Sequence, residues 1–200
     1  PNPFKEFHIG HLMSNAIGES LCRIFEWNGA KVVRVCYQGD VGLHVAKTIW
    51  GILQDLDNFP KDSAKLSEKI AYIGKAYVLG SQRYEDNKCV AEEIKDINKK
   101  VFEGSDKEIN RLYEKGKKWS LEHFDEVYEK LGTKFNHIIL ESSVISDGEK
   151  IVREFLSPSG GSASGGKPGV FEESNGAIIF PGEKYGLHTR VFISSQGLPT

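Results

Sequence analysis

The sequence predicts an α/β chain: one half of a Rossmann-type unit with a helical insertion, incomplete at both ends. Three observations carry this. A turn rich in His and Gly opens an amphipathic helical run that leads into a β-branched segment. A long middle stretch is charged and helix-patterned with no strand signal, and short β runs separated by turn residues close the chain.

The elements follow in order. Leu12, Ala16, Ile17, Leu21, Ile24 and Phe25 recur at helical spacing, and Asn28-Gly29 supplies a stop. Residues 31–37 read as a strand, Gly39-Asp40-Val41-Gly42 as a loop, and 44–56 as a second helix. Together 1–56 and 133–200 are expected to form the partial Rossmann-like domain, with 57–132 as a helical insertion. The clearest helix of the insertion opens at Ser105-Asp106-Lys107-Glu108, a capping-box spacing. It carries Ile109, Leu112, Tyr113, Gly116, Ser120, Phe124, Val127, Tyr128 and Leu131 on one stripe and stops at Gly132. A strand is expected at 136–141, a helix from Ser146 to about Leu156, and β runs at 170–172, 177–180 and 189–193. The Gly/Ser-rich stretch 157–168 cannot bury apolar surface and is expected to be flexible, as a natural loop or an engineered insertion.

Composition narrows the function. With 26 Lys+Arg against 28 Asp+Glu the net charge is -2, so any polynucleotide contact is expected to be local. Cys22, Cys36 and Cys89 are odd in number and form no CxxC pair, so neither a disulfide framework nor a zinc site is indicated and a reducing cytoplasm fits. No apolar run approaches the roughly 18 residues of a bilayer span, so no membrane is expected. The first residues, Pro1-Asn2-Pro3, and the last, Gly197-Leu198-Pro199-Thr200, read as cut ends.

The chemistry concentrates in Lys5-Glu6-Phe7-His8-Ile9-Gly10-His11, at the mouth of a helix. A helix N-terminus offers free N–H groups and partial positive charge, which favour phosphate. Two imidazoles three residues apart can reach one ligand, and Gly10 lets a base or ribose approach. The same His-x-x-His spacing also fits half a metal site, or two ordinary histidines. Asp40, directly after a strand, could face a site or serve as a local cap. His44 is a weaker candidate; His123, His137 and His188 lack partner spacing and read as structural. Lys115, Lys117 and Lys118 read as a solvated helix face, with a nucleic-acid contact as the alternative.

The run from Pro1 through Lys5, His8-Ile9-Gly10-His11 to Leu12, with Ile17-Gly18-Glu19 and Gly39-Asp40-Val41-Gly42 after it, resembles the class I aminoacyl-tRNA synthetases, and among them arginyl-tRNA synthetase. The similarity continues through Lys117-Lys118-Trp119-Ser120-Leu121, Tyr128-Glu129-Lys130-Leu131-Gly132, Phe171-Glu172-Glu173-Ser174-Asn175-Gly176-Ala177 and Gly186-Leu187-His188-Thr189-Arg190. The resemblance implies that ATP, with Mg²⁺, activates arginine to arginyl-adenylate, which then esterifies the 3′ end of tRNA(Arg). It implies ATP contacts from Lys5, His8, Gly10 and His11, with Lys5, His8 and His11 catalytic and Lys5 steadying the phosphates. It places Pro1, Asn2 and His11 on the arginine side, where Asp40 is a further candidate; no protein metal ligands are expected, and the working state is taken as a monomer.

Neither a strand before Pro1, nor a KMSKS-like loop, nor the downstream Tyr and Asp of the family is visible, so the chain alone is expected to be inactive or weak. Two other functions fit the turn: an HxGH nucleotidyltransferase, against which Pro1-Asn2 and the Gly-Asp-x-Gly loop weigh, and a non-catalytic nucleotide-binding fragment or paralogue.

Overall fold

The computed structural model describes residues 1–157 and 169–200. Apart from Ser157, the 157–168 stretch expected to be flexible lies outside the described residues. Helix α1 (Ile9–Trp27) runs off the Lys5 to His11 segment, hereafter the signature turn, and stops at Asn28, with Gly29 at φ 84°. Strand β1 (Val35–Gln38) pairs in parallel with β2 (His137–Leu140), Val35 facing His137 and Gln38 facing Leu140. Both strands are shorter than the β-branched runs predicted, because a strand extends only as far as its ladder and β2 opposes β1 over four residues.

Between them lie α2 (Leu43–Leu53), a 3-10 turn (Leu56–Asn58), α3 (Leu66–Asp86), α4 (Lys88–Glu103) and α5 (Lys107–Leu131). α2 ends before the expected 56, and the 3-10 turn takes up the remainder. α2 and α3 meet at backbone distance. A Cβ on Gly51 would come 2.2 Å from the Ala76 carbonyl oxygen, and one on Gly80 would come 2.0 Å from that of Lys47. One glycine from each helix at the crossing is what permits this approach.

The N-cap of α5 is Asp106, not Ser105: its carboxylate accepts from the Glu108 and Ile109 N–H groups at 2.9 and 3.0 Å. The shift by one residue puts a negative charge at the positive end of the helix. The predicted stripe is buried through Tyr128 and gains Trp119, while Val127 and Leu131 are half-buried and Gly132, at φ 67°, ends the helix.

The stripe along α1 behaves differently. Ile17, Leu21, Ile24 and Phe25 are all more than half exposed. The two-stranded parallel sheet offers too little surface to cover a helix of 19 residues.

The chain divides into the compact units Pro1–Ser142 and Ser143–Thr200. Helix α6 (Glu141–Glu154) begins directly off β2, well before the Ser146 start predicted. In the second unit β3 (Glu172–Ser174), β4 (Ala177–Phe180) and β5 (Arg190–Ile193) form their own antiparallel sheet. Val152, Ile178 and Ile193 are buried together, with Leu156 and Phe171 against them. β3 falls later than 170–172 because Asn175 and Gly176, at φ 50° and 77°, make a tight hairpin that pairs Ser174 with Ala177.

Candidate functional site

The signature turn hangs from Phe4. This residue is fully buried and adopts φ 66°, a left-handed conformation unusual for an aromatic. Its N–H donates to Ser120 Oγ at 3.0 Å, and its carbonyl accepts from Thr48 Oγ1 at 3.3 Å. Its ring lies against Gly116, where a Cβ would come 2.3 Å from Cε1, and stacks on Tyr113 with centroids 6.0 Å apart. α2 and α5 therefore grip the residue immediately before Lys5. Phe7 adds a second hold, edge-on to Phe124 at 6.3 Å.

The two histidines cap α1 reciprocally. Nδ1 of His8 accepts from the Gly10 N–H at 3.1 Å, and Nδ1 of His11 accepts from the His8 N–H at 3.4 Å. With both Nδ1 atoms accepting, the ring proton of each imidazole sits on Nε2, leaving two N–H donors free of the cap. The rings stack at 3.8 Å. Gly10 makes this possible, since a Cβ there would come 3.1 Å from His8 Cε1. His11 also packs on Phe7 at 5.4 Å. Burial first, with the charge of Lys5 in support, brings its pKa well below the ordinary 6.5. At neutral pH His11 is thus an uncharged donor.

Lys5 holds its Nζ 5.0 Å from the Tyr77 ring centroid and, with Glu6 and His8, lines a cavity of about 640 Å³ against α3. Burial would raise the Tyr77 hydroxyl, but the nearby ammonium groups of Lys5 and Lys47 hold it below its ordinary value.

On the other side of the turn lie the carboxyl ends of β1 and β2, where open parallel sheets place their ligands. Gly39 is the hub. Its N–H donates to Asn2 Oδ1 at 3.3 Å, and its carbonyl accepts from His44 Nε2 at 3.0 Å. A Cβ on Gly39 would come 2.9 Å from Glu141 Oε2, so Asn2, Gly39 and Glu141 crowd into one corner. Burial first, and then the Asp40 charge, raise the Glu141 carboxyl above its ordinary value. Burial, with the charge of Lys5 in support, brings His44 down to about 4.

Asp40 does not open onto this corner. It is fully buried: Oδ2 accepts from Tyr113 at 2.8 Å and from Ser142 Oγ at 2.7 Å, and Oδ1 accepts from the Ser142 N–H at 2.9 Å. It caps a helix, but α6 rather than its own loop. A larger cavity of about 670 Å³ meets the turn at Pro1, Asn2, Phe7 and His11 and then follows five consecutive residues, Val33 to Tyr37. Successive strand residues face opposite ways, so lining by all five places this space along the edge of β1.

The structure thus gathers Asn2, Lys5, His8, Gly10 and His11 around one turn. The lysines of α5 are ion-paired: Lys115 with Asp62 at 2.8 Å, Lys117 with Glu114 at 2.9 Å, and Lys118 with Glu122 at 3.8 Å. His137 is exposed on β2, His123 packs on Phe124 and His188 lies in the second unit. Sequence reasoning missed Phe4, Tyr113, Glu141 and Ser142. Glu141 was within reach, since it follows a strand just as Asp40 does.

Residues 1–193 match the family described as tRNA synthetases class I (R), catalytic domain. Arginine--tRNA ligase of Borrelia garinii subsp. bavariensis is 34% identical over 157 residues, covering 78% of the chain and 26% of that protein. Arginine--tRNA ligase of Clostridium perfringens is 30% identical over 202 residues, covering 98% of the chain and 32% of that protein. The chain therefore spans about a quarter to a third of the length of these relatives. Two arginyl-tRNA synthetase structures share the fold along the whole chain: that of Plasmodium falciparum at TM-score 0.62 and 24% identity, over 31% of its own length, and that of Thermus thermophilus at 0.61 and 20%, over 32%.

Proposed function

Since the chain belongs to the catalytic-domain family of class I tRNA synthetases for arginine, we propose that it supplies the nucleotide turn and part of the amino-acid pocket of an arginine–tRNA ligase. In the reaction a carboxylate oxygen of arginine attacks the α-phosphorus of ATP, the bond to the β-phosphate oxygen breaks, and pyrophosphate leaves. A ribose hydroxyl at the 3′ end of tRNA(Arg) then attacks the adenylate carbonyl and AMP departs.

The observation that carries this reading is the pair of free Nε2–H donors on His8 and His11 at the N-terminus of α1, with Asn2 lining the same cavity as His11. Neutral donors fixed in advance stabilise charge that develops on the α-phosphate. Lys5 extends toward the β- and γ-phosphates, and Gly10 keeps the helix mouth open. Asn2 has its carbonyl oxygen engaged by Gly39 and keeps its amide N–H groups for the arginine substrate. Pro1 borders the same side. Glu141, whose charge is costly where it lies, gains from a cation such as guanidinium, a role Asp40 is too enclosed to fill.

Among the described residues no three His, Cys, Asp or Glu side chains gather as a metal cluster. Mg²⁺ would enter on the phosphates of ATP, where it would neutralise their charge. We further read 57–132 as an insertion between the paired strands, supported by the parallel register of β1 with β2 on either side of it. The same reading puts the protein in the cytoplasm as a monomer. The test is ATP–pyrophosphate exchange with each amino acid in turn, with and without tRNA(Arg), on the protein that carries this chain. Exchange specific to arginine supports the ligase. Exchange without any amino acid would favour a nucleotidyltransferase, and ATP binding without exchange a non-catalytic relative.

A further inference from the structure

Two parts of the site, the signature turn and the corner at the strand ends, are joined through one side chain. Tyr113 is buried on α5. Its ring stacks on Phe4, which is itself held through both backbone groups and seated on Gly116. Its hydroxyl donates to Asp40, and the same carboxylate fixes both the N–H and the hydroxyl of Ser142. Ser142 follows Glu141, so whatever fixes Ser142 fixes the backbone from which the Glu141 carboxylate projects. We propose that Tyr113 is a positioning residue whose ring holds the signature turn through Phe4 and whose hydroxyl holds the arginine-side carboxylate Glu141 through Asp40 and Ser142.

The chemistry of the contact suits that division. Burial, then the charge of Asp40 and its hydrogen bond, push the Tyr113 hydroxyl well above its ordinary pKa, so it stays a donor across the working pH range. Lys117 also contacts the ring, its Nζ 4.3 Å from the centroid. The Phe4 stack and the Lys117 contact both hold the ring where its hydroxyl meets Asp40. A change at the hydroxyl is therefore felt at Ser142, whereas a change at the ring is felt at both ends.

In the protein that carries this chain, Tyr113→Phe removes the hydroxyl and keeps the stack; Tyr113→Leu removes both. Amide hydrogen exchange should speed up by about tenfold at Ser142 in Tyr113→Phe with segment 5–11 unchanged, and at both places in Tyr113→Leu. The kinetic counterpart, which rests on the function proposed above, is an arginine KM raised about tenfold in Tyr113→Phe with the ATP KM within about twofold. Should Tyr113→Phe fail to fold, Ser142→Ala removes another donor to the same Asp40 oxygen and should reproduce the pattern. Tyr113→Phe that leaves Ser142 exchange unaltered, or loosens both segments equally, overturns the proposal. A wild type without arginine-dependent turnover overturns the ligase reading instead, and hydrogen exchange still decides the coupling.

Discussion

A single methyl group on α5 should cripple the signature turn more than it harms the fold. In Gly116→Ala the new Cβ would lie 2.3, 2.8 and 3.0 Å from Cε1, Cζ and Cδ1 of Phe4. Carbon atoms in contact prefer about 3.5–4.0 Å, so the ring must retreat by roughly 1 Å. It cannot do so alone, because the Phe4 N–H and carbonyl are tied to Ser120 and Thr48. The displacement is therefore passed to Lys5, His8 and His11. Overpacking costs about 1–3 kcal/mol, and replacing a mid-helix glycine by alanine returns about 1 kcal/mol, so the net loss of stability is about 0–2 kcal/mol. A misplacement of about 1 Å at a reacting centre can cost on the order of 10²-fold in rate. The control is Gly74→Ala, where the obstructing atom, at 2.3 Å, is Oε1 at the flexible end of Glu6, and activity should survive. Thermal melts and arginine-dependent exchange measured side by side separate the two effects. If Gly116→Ala retained kcat/KM within about threefold of wild type, Phe4 would not be what holds the turn.

Three further outcomes are expected. Lys5→Ala should raise the KM for ATP by about tenfold or more and that for arginine far less, as steady-state kinetics in both substrates will report. Gly51→Ala drives a Cβ to 2.2 Å from the Ala76 carbonyl oxygen, where no flexible end can yield, and should cost about 1–3 kcal/mol in denaturant melts. His44 binds its proton less tightly folded, at about 4, than at its ordinary 6.5. The unfolded chain therefore takes up the proton first as pH falls. Its contribution is complete above about pH 6.5 and is lost progressively toward pH 4, amounting to about 3 kcal/mol. A His44→Asn variant should show a flatter fall in stability between those two values.

What was legible in the sequence was what neighbours in sequence decide. The stop at Asn28-Gly29, the buried stripe of α5, the end at Gly132 and the hairpin at Asn175-Gly176 all rest on local backbone preference or helical period. The start of α6 was not legible, because the carboxylate that caps Ser142 belongs to Asp40, 102 residues earlier. Asp40 was read as either an acid facing a site or a local cap, and it caps a distant helix instead. Nothing near it announces Tyr113, 73 residues on, or that the helix it caps is a distant one. Phe4 was invisible for a related reason: its left-handed backbone is imposed by α2 and α5, with no glycine to signal it. The limits of β1 depended on how far β2 reaches. In the turn itself, residue types alone singled out His8, Gly10 and His11 as candidates, but the reciprocal cap that settles which nitrogens are free needed coordinates.

The central claim is that His8 and His11 serve the α-phosphate through Nε2–H donors while their Nδ1 atoms cap α1. The most direct measurement is arginine-dependent ATP–pyrophosphate exchange by His8→Ala and His11→Ala in the protein that carries this chain, with helicity monitored by circular dichroism. The account predicts that each variant stays folded and loses on the order of 10²-fold or more in exchange. Exchange within about threefold of wild type in either variant would contradict it.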